Sequence, residues 1–186
     1  MRMGFAICGS FCNHPQILKI YEALSERHEL IPILSDNAAR YDTRFGTAEQ
    51  LIERVESLAG RRAVRSIVEA EPLGPSRAMD VLVIAPCTGN TLGKLAAGIT
   101  DNAVTMAAKA HLRNGGAVVC AVATNDGLAA SAQNIAVLLN RKHYYFVPFG
   151  QDDARAKPTS LVADFSLIEE TAEAALAGRQ LQPILR

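Results

Sequence analysis

A chain of 186 residues, 49% of them hydrophobic, suits one domain with a sizeable core. Its 19 basic and 19 acidic side chains cancel, and no long run of like charge stands out, so no nucleic acid and no anionic membrane surface is expected as a partner. The apolar run Phe5-Ala6-Ile7-Cys8 passes directly into polar residues 9–14. It is too short for a signal peptide and far too short to span a bilayer, so a cytoplasmic protein is expected. The cysteines, Cys8, Cys12, Cys87 and Cys120, lack zinc-site spacing, and neither a metal centre nor a disulfide is expected.

Met3 to Cys8 reads as the first strand. Gly9-Ser10-Phe11-Cys12-Asn13-His14 is a turn, and Pro15 opens a helix with Ile17, Leu18, Tyr21 and Leu24 on its apolar face. Strand, glycine-containing turn and helix make the first half of a nucleotide-binding unit. Gly9 is the only glycine in that turn, so the dinucleotide fingerprint is absent, although Ser10 and the helix-start amides suit a single phosphate. Glu29 to Leu34 is the second strand, with Pro32 predicting an irregularity in it. Ser35-Asp36-Asn37 ends it, and residues 38–46 read as a polar loop whose Arg40 and Arg44 are solvated or reach an anion. Thr47 with Gln50 forms a capping-box pattern ahead of a helix carrying Leu51, Ile52, Val55, Leu58 and Ala59, which Gly60 stops. Ala63 to Val68 reads as a short strand, and Glu71-Pro72-Leu73-Gly74-Pro75 excludes regular helix.

Val81 to Ala85 is an uninterrupted apolar run, the pattern of a strand buried on both faces, and Pro86 is expected to stop it. A small polar turn, Cys87-Thr88-Gly89-Asn90-Thr91, leads into a helix with Leu92, Leu95 and Ala96. A second break, Gly98-Ile99-Thr100-Asp101-Asn102, precedes a helical stretch to Arg113. Asn114-Gly115-Gly116 terminates it. Ala117 to Ala123 is another buried strand, ending in Thr124-Asn125-Asp126-Gly127. Leu128 to Leu139 reads as helix and Tyr144 to Val147 as the last strand. Residues 149–160 read as a long polar loop, and Ser166 to Leu176 as a closing helix.

Alternating β and α units predict one α/β domain over residues 1–186, a three-layer Rossmann-like arrangement with a doubly wound parallel sheet. Small polar turns follow the first, central and next strands, and α/β proteins bind ligands at that carboxyl edge. Asn90, Asn125 and Asp126 lead the candidate site residues, although Asn and Asp also serve turns and caps routinely. Cys87 stands where a nucleophile would be useful, yet a small side chain in a tight turn explains it too. His14 is either a proton-transfer group or a solvent-facing helix start. A ligand with two carboxylates would draw on Lys94, Lys109, Arg113, Arg155 and Lys157. The first three also fit helix surfaces, and the last two also fit binding of a second chain or local pairing with Asp152 and Asp153.

The Gly-Ser turn, the APCTGNT turn with GITDN beyond it, and Thr124-Asn125 resemble the flavoprotein fold of the homo-oligomeric flavin-containing cysteine decarboxylases. Taken with ATNDGLAASAQNIAVLLN and the specific stretch GQDDARAKPTSLVAD, nearly the whole chain resembles the B-subunit family of dipicolinate synthases. That resemblance implies a flavodoxin-like fold and FMN as a possible cofactor. It also implies cofactor-binding positions at Gly9, Ser10, Ser35, Pro86, Cys87, Thr88, Asn90, Thr91, Asp101 and Asn102. Asn125, Asp126 and His14 are then the candidates for catalysis.

The implied activity is oxidation of a dihydrodipicolinate to pyridine-2,6-dicarboxylate in the mother cell of a sporulating bacterium. An NADP-binding A subunit would be the partner, the substrate a small dicarboxylate, and self-association is implied as well. Rivals are an autonomous FMN-dependent lyase or oxidoreductase and a non-catalytic stabilising subunit. Flavin-dependent decarboxylases of the wider family carry a histidine shortly before the central strand, where this chain has Glu71-Pro72-Leu73. Their proline–x–methionine–asparagine motif is replaced by Val122-Ala123-Thr124-Asn125, and the chain has no tryptophan. Only Asn125 matches, which argues against cysteine decarboxylation.

Overall fold

In the computed structural model, which describes residues 1–186, parallel strands carry the core. They are β1 (Arg2–Ile7), β2 (Glu29–Leu34), β3 (Val81–Cys87), β4 (Ala117–Thr124) and β5 (Tyr144–Phe146). Their pairings give the order β2-β1-β3-β4-β5, the flavodoxin-like order whose direction of winding reverses between β1 and β3. Every residue of β3 is buried, as is β4 up to Ala123, which is why both read as unbroken apolar runs. Around the sheet lie α1 (His14–Ser25), α2 (Asp36–Arg40), α3 (Ala48–Ala59), α4 (Ile67–Ala70), α5 (Gly89–Ala97), α6 (Ala103–Leu112), α7 (Ala132–Leu139) and α8 (Ile168–Leu176). No helix is long and apolar enough to cross a membrane.

Local chemistry sets the helix ends. Thr47 and Gln50 form the expected capping box on α3, and Ser66 with Glu69 and Asn102 with Thr105 do the same for α4 and α6. Gly98, at φ 72°, ends α5 in the left-handed region that costs a side-chain-bearing residue energy. On α1, Ile17, Tyr21 and Leu24 face the core, and the Tyr21 ring meets Phe5 of β1 edge-on at 5.1 Å.

Several expectations change. Pro32 introduces no irregularity in β2. Val64 donates to the Pro32 carbonyl and accepts from the Leu34 amide, both at 2.9 Å, so residues 32 and 34 point to the outer edge. The missing N–H of Pro32 therefore forfeits no bond to β1. Residues 63–68 contribute only that single bridge before Ser66 caps α4. Pro86 does not stop β3, which continues to Cys87 across a shift of register against β4. Part of the expected loop after β2 is α2, and α7 starts at Ala132 because Asp126 to Ser131 is wound into turns.

The largest change concerns residues 149–160, where the long polar loop is a β-hairpin. Strand β6 (Phe149–Asp153) pairs antiparallel with β7 (Lys157–Ala163), and β7 joins β4 through Ala123 and Thr124. The parallel sheet so becomes a mixed sheet of seven strands. Polar side chains hid these strands because the hairpin arm from Gln151 to Thr159 is exposed and buries no apolar face.

Two buried histidines predict the acid response of the fold. Burial lowers the basicity of His14, whose Nε2 donates to the Cys8 carbonyl at 2.8 Å, and of His111, whose Nε2 has no partner. Both take up a proton more readily when unfolded, so below about pH 6.5 the unfolded chain binds more protons and stability falls. The urea midpoint should drop between pH 7.5 and 5.5, with a shallower drop in His111→Gln. Equal slopes in the two proteins would remove His111 from this account.

Candidate functional site

The turns after β1 and β3 meet where the winding direction reverses. After β1, Gly9 and Ser10 enter a short 3-10 turn, Phe11–Asn13, and the Asn13 side-chain amide donates to Ser10 Oγ at 2.8 Å. After β3, Thr88 caps α5 by accepting from the Thr91 amide at 3.3 Å. The Thr91 hydroxyl lies 3.0 Å from that of Thr88 and donates to Cys8 Sγ at 3.3 Å, tying the start of α5 to the end of β1. Ser35 caps α2 after β2, and Asn102 caps α6. Capping thus fixes the same hydroxyls and amides that line the site.

A cleft of about 950 Å³ opens over these turns, within the range of small-molecule sites of about 300–1,000 Å³. One wall is the turn from Gly9 to Asn13; the floor is Thr88 to Asn90 with Ala123 to Asp126. The opposite wall belongs to the hairpin, through Asp152, Lys157, Ser160, Leu161 and Val162, while Arg44 and Phe45 flank the opening. Beyond Gly9, Thr88 and Asn90 lies a second recess of about 320 Å³. Its lining is almost wholly polar: Ser35, Asp36, Asn37, Thr91, Lys94 and Asn102. The hairpin wall is anchored, since Thr159 Oγ1 donates to the Asn125 carbonyl at 2.7 Å and the Leu128 amide to the Thr159 carbonyl at 2.9 Å.

Charge in the cleft is mostly paired. Lys157 Nζ meets Asp152 at 2.6 Å, which raises the lysine's basicity, and Lys94 Nζ meets Asp101 at 2.8 Å, which holds that carboxyl below its usual range. Asp126 accepts from the hydroxyls of Thr124 and Ser131 through one oxygen, Oδ1, leaving Oδ2 free of protein donors. The start of α5 presses on that cluster. A β-carbon on Gly89 would stand 2.6 Å from Ser131 Oγ, 2.7 Å from Thr124 Oγ1 and 2.8 Å from Asp126 Oδ1. Only glycine fits between the helix and the carboxylate.

The structure gathers Gly9, Ser10, Ser35, Thr88, Asn90, Thr91, Asn102, Asn125 and Asp126 along the two cavities. Four other sequence candidates lie elsewhere. Pro86 and Cys87 are sealed at the buried end of β3, where burial pushes the Cys87 thiol up and leaves no nucleophile. Asp101 is outside the cavity walls and reaches the recess only indirectly, through Lys94 and the Asn102 side-chain amide. His14 is buried rather than solvent-facing; it lines a neighbouring pocket with its Nε2 spent on Cys8. Sequence reasoning offered Arg44, Lys94 and Lys157 as anion partners beside solvated or locally paired readings, and did not single out Phe11, Asn37 or Phe45. For Lys157 a signal existed in the distinctive GQDDARAKPTS stretch. Phe11 and Lys94 follow from their places in the turn after β1 and on α5, whereas only the folding back of the 41–46 turn and of α2 brings Arg44, Phe45 and Asn37 to the site.

The Flavoprotein family model matches residues 1–172. The dipicolinate synthase B chain of Bacillus subtilis (strain 168) is 44% identical over 99% of this chain and 92% of its own length. The crystal structure of the corresponding dipicolinate synthase B chain from Bacillus halodurans C superposes with a TM-score of 0.90 at 42% identity, covering 100% of this chain and 95% of that one. Burkholderia xenovorans DmrB in complex with FMN shares the fold at a TM-score of 0.70 and 18% identity, with 95% of each chain covered.

Packing at Gly89 predicts the outcome of one substitution. Gly89→Ala should lower stability by about 1–3 kcal/mol in urea denaturation, because the new methyl meets three fixed polar atoms. Unchanged stability would mean that the Asp126 cluster yields freely.

Proposed function

This chain belongs to the Flavoprotein family, and from that membership we propose that it acts as the B component of a dipicolinate synthase. The observation that carries the proposal is the 44% identity over 99% of the chain, a span that includes the hairpin wall as well as the turns. The reaction removes two hydrogens from a dihydrodipicolinate. One leaves with its electron pair as hydride to NADP⁺, the other leaves as a proton, and aromatic pyridine-2,6-dicarboxylate remains. Gly9 is the sole glycine of the first turn, so the NADP site is assigned to the partner A subunit.

Asp126 is the proton acceptor in this scheme. Two hydroxyls orient its carboxylate through Oδ1, Oδ2 has no protein donor, and the residue lines the cleft. Asn125 stands beside it on the same floor, and Asn90 adds an exposed amide from the first turn of α5. His14 takes no part, because its ring is committed to Cys8 behind the wall. Exposed Tyr41 and Phe45 beside the cleft, and Val68 on α4, offer apolar surface for self-association or for the A subunit.

FMN fits the donor set of the two cavities. The recess offers hydroxyls of Ser35, Thr88 and Thr91, amides of Asn37, Asn90 and Asn102, and the Lys94 ammonium, a set suited to a phosphorylated polyol chain. The wider cleft adds Phe11, Ala123, Leu161 and Val162 for a flat ring. When bound, FMN supplies a two-electron carrier. The chain's own residues would hold it and position the diacid beside the hairpin wall.

Dipicolinate formation from freshly generated dihydrodipicolinate and NADP, with this chain alone, the A subunit alone and both, tests the pairing. Product is expected from the pair alone; an A subunit that matches the pair would reduce this chain to an accessory. Within the pair, Asp126→Asn should lower kcat about 10²-fold or more, and a wild-type rate would remove Asp126 as the base. Flavin absorbance after gel filtration with added FMN checks the cofactor. Uptake is expected in the wild type and lost in Asn90→Trp with the fold intact, whereas equal uptake by both would move FMN away from the central turn.

A further inference from the structure

Arg44 is the one cation on the cleft wall without a counter-charge. Lys157 is neutralised by Asp152, and Asp126 adds a negative charge to the floor. Arg44 makes no ion pair and no side-chain hydrogen bond; its guanidinium lies 4.8 Å from the centre of the Phe45 ring, in cation–π contact. The turn that carries it is built rather than loose. Thr43 and Gly46 exchange backbone bonds at 3.0 and 3.2 Å, the Phe45 amide donates to Thr43 Oγ1 at 3.1 Å, and Asp42 accepts from the Ala48 amide at 2.9 Å to fasten the turn to α3. A rigid turn therefore holds a free five-donor fork at the mouth of a cleft whose other charges are spent.

We infer that Arg44 is the carboxylate subsite of this cleft, taking one carboxylate of a planar aromatic or dihydroaromatic diacid and selecting diacids over monoacids. The inference rests on the functional reading above and adds the residue that confers selectivity. A carboxylate entering the cleft faces Asp126 and Asp152, and only Arg44 offers a full positive charge free to replace its lost water. Packing of the guanidinium on Phe45 leaves its N–H edges free for a bidentate contact. Because Arg44 touches only Phe45 and makes no side-chain hydrogen bond or ion pair, its replacement should leave the fold intact.

Calorimetric titration of the complex with the A subunit tests this, using dipicolinate and the monoacid pyridine-2-carboxylate as probes. Wild type, Arg44→Gln and Arg44→Lys are compared, with thermal unfolding as the control for folding. Arg44→Gln should weaken dipicolinate binding about 10–100-fold while changing the monoacid less, so that the preference for the diacid collapses. Arg44→Lys should restore part of it. If the wild-type complex binds dipicolinate and Arg44→Gln binds it equally well, or loses both probes in the same ratio, the subsite is overturned and the functional reading stands. If the wild-type complex binds neither diacid nor monoacid, that reading fails and takes the subsite with it.

Discussion

Burial of β3 on both faces, between β1 and β4, is the constraint on which the site depends. An all-apolar strand has to be covered by helices on either side, so the chain must leave its carboxyl end in a tight turn and begin α5 at once. The reversal of winding between β1 and β3 separates the helices that follow them and opens a crevice over both strand ends. Thr91 bridges it at its base by donating to Cys8, whose thiol is pushed up to about 11 by burial and so stays neutral. The ligand-facing groups are consequently first-turn and capping groups, held by the same bonds that start the helices.

The hairpin completes what the parallel sheet begins. Strand β4 gives its outer edge first to β5 and then, near Thr124, to β7, so the hairpin rises directly beside the turn that carries Asn125 and Asp126. Its arm buries little and gains little from the hydrophobic effect. Backbone pairing and the Thr159 bonds to residues 125 and 128 hold it in place. One side of the cleft is therefore rigid floor, and the other is a polar wall suited to meeting solvent, a substrate or a second chain.

Electrostatics then discriminates among residues of like type. Lys94 and Lys157 sit on the walls but are paired, whereas Arg44 is free. Asp126 is oriented by two hydroxyls, whereas Asp101 is bound to a lysine. In a chain whose 19 basic and 19 acidic groups cancel overall, local pairing rather than net charge selects the groups left for a ligand.

Periodicity and capping chemistry made much of this legible in the one-dimensional chain. The buried runs at β1, β3 and β4, the capping box at Thr47, the glycine stops at Gly60 and Gly98, and the small polar turns are local features. Strand faces and helix ends are settled within a few residues, so the α/β class and the turn residues Ser10, Asn90, Asn125 and Asp126 could be read directly. The hairpin was not legible, because exposed strands carry no apolar alternation and their pairing with β4 spans dozens of residues. Nor was the exclusion of Pro86, Cys87 and His14 from the cleft and its recess, since burial depends on what packs over a residue. Arg44 could be named as a charge, but only the folded turn leaves it unpaired at the cleft mouth. Local bonds decided the elements; long-range packing and charge pairing decided which of their side chains meet a ligand.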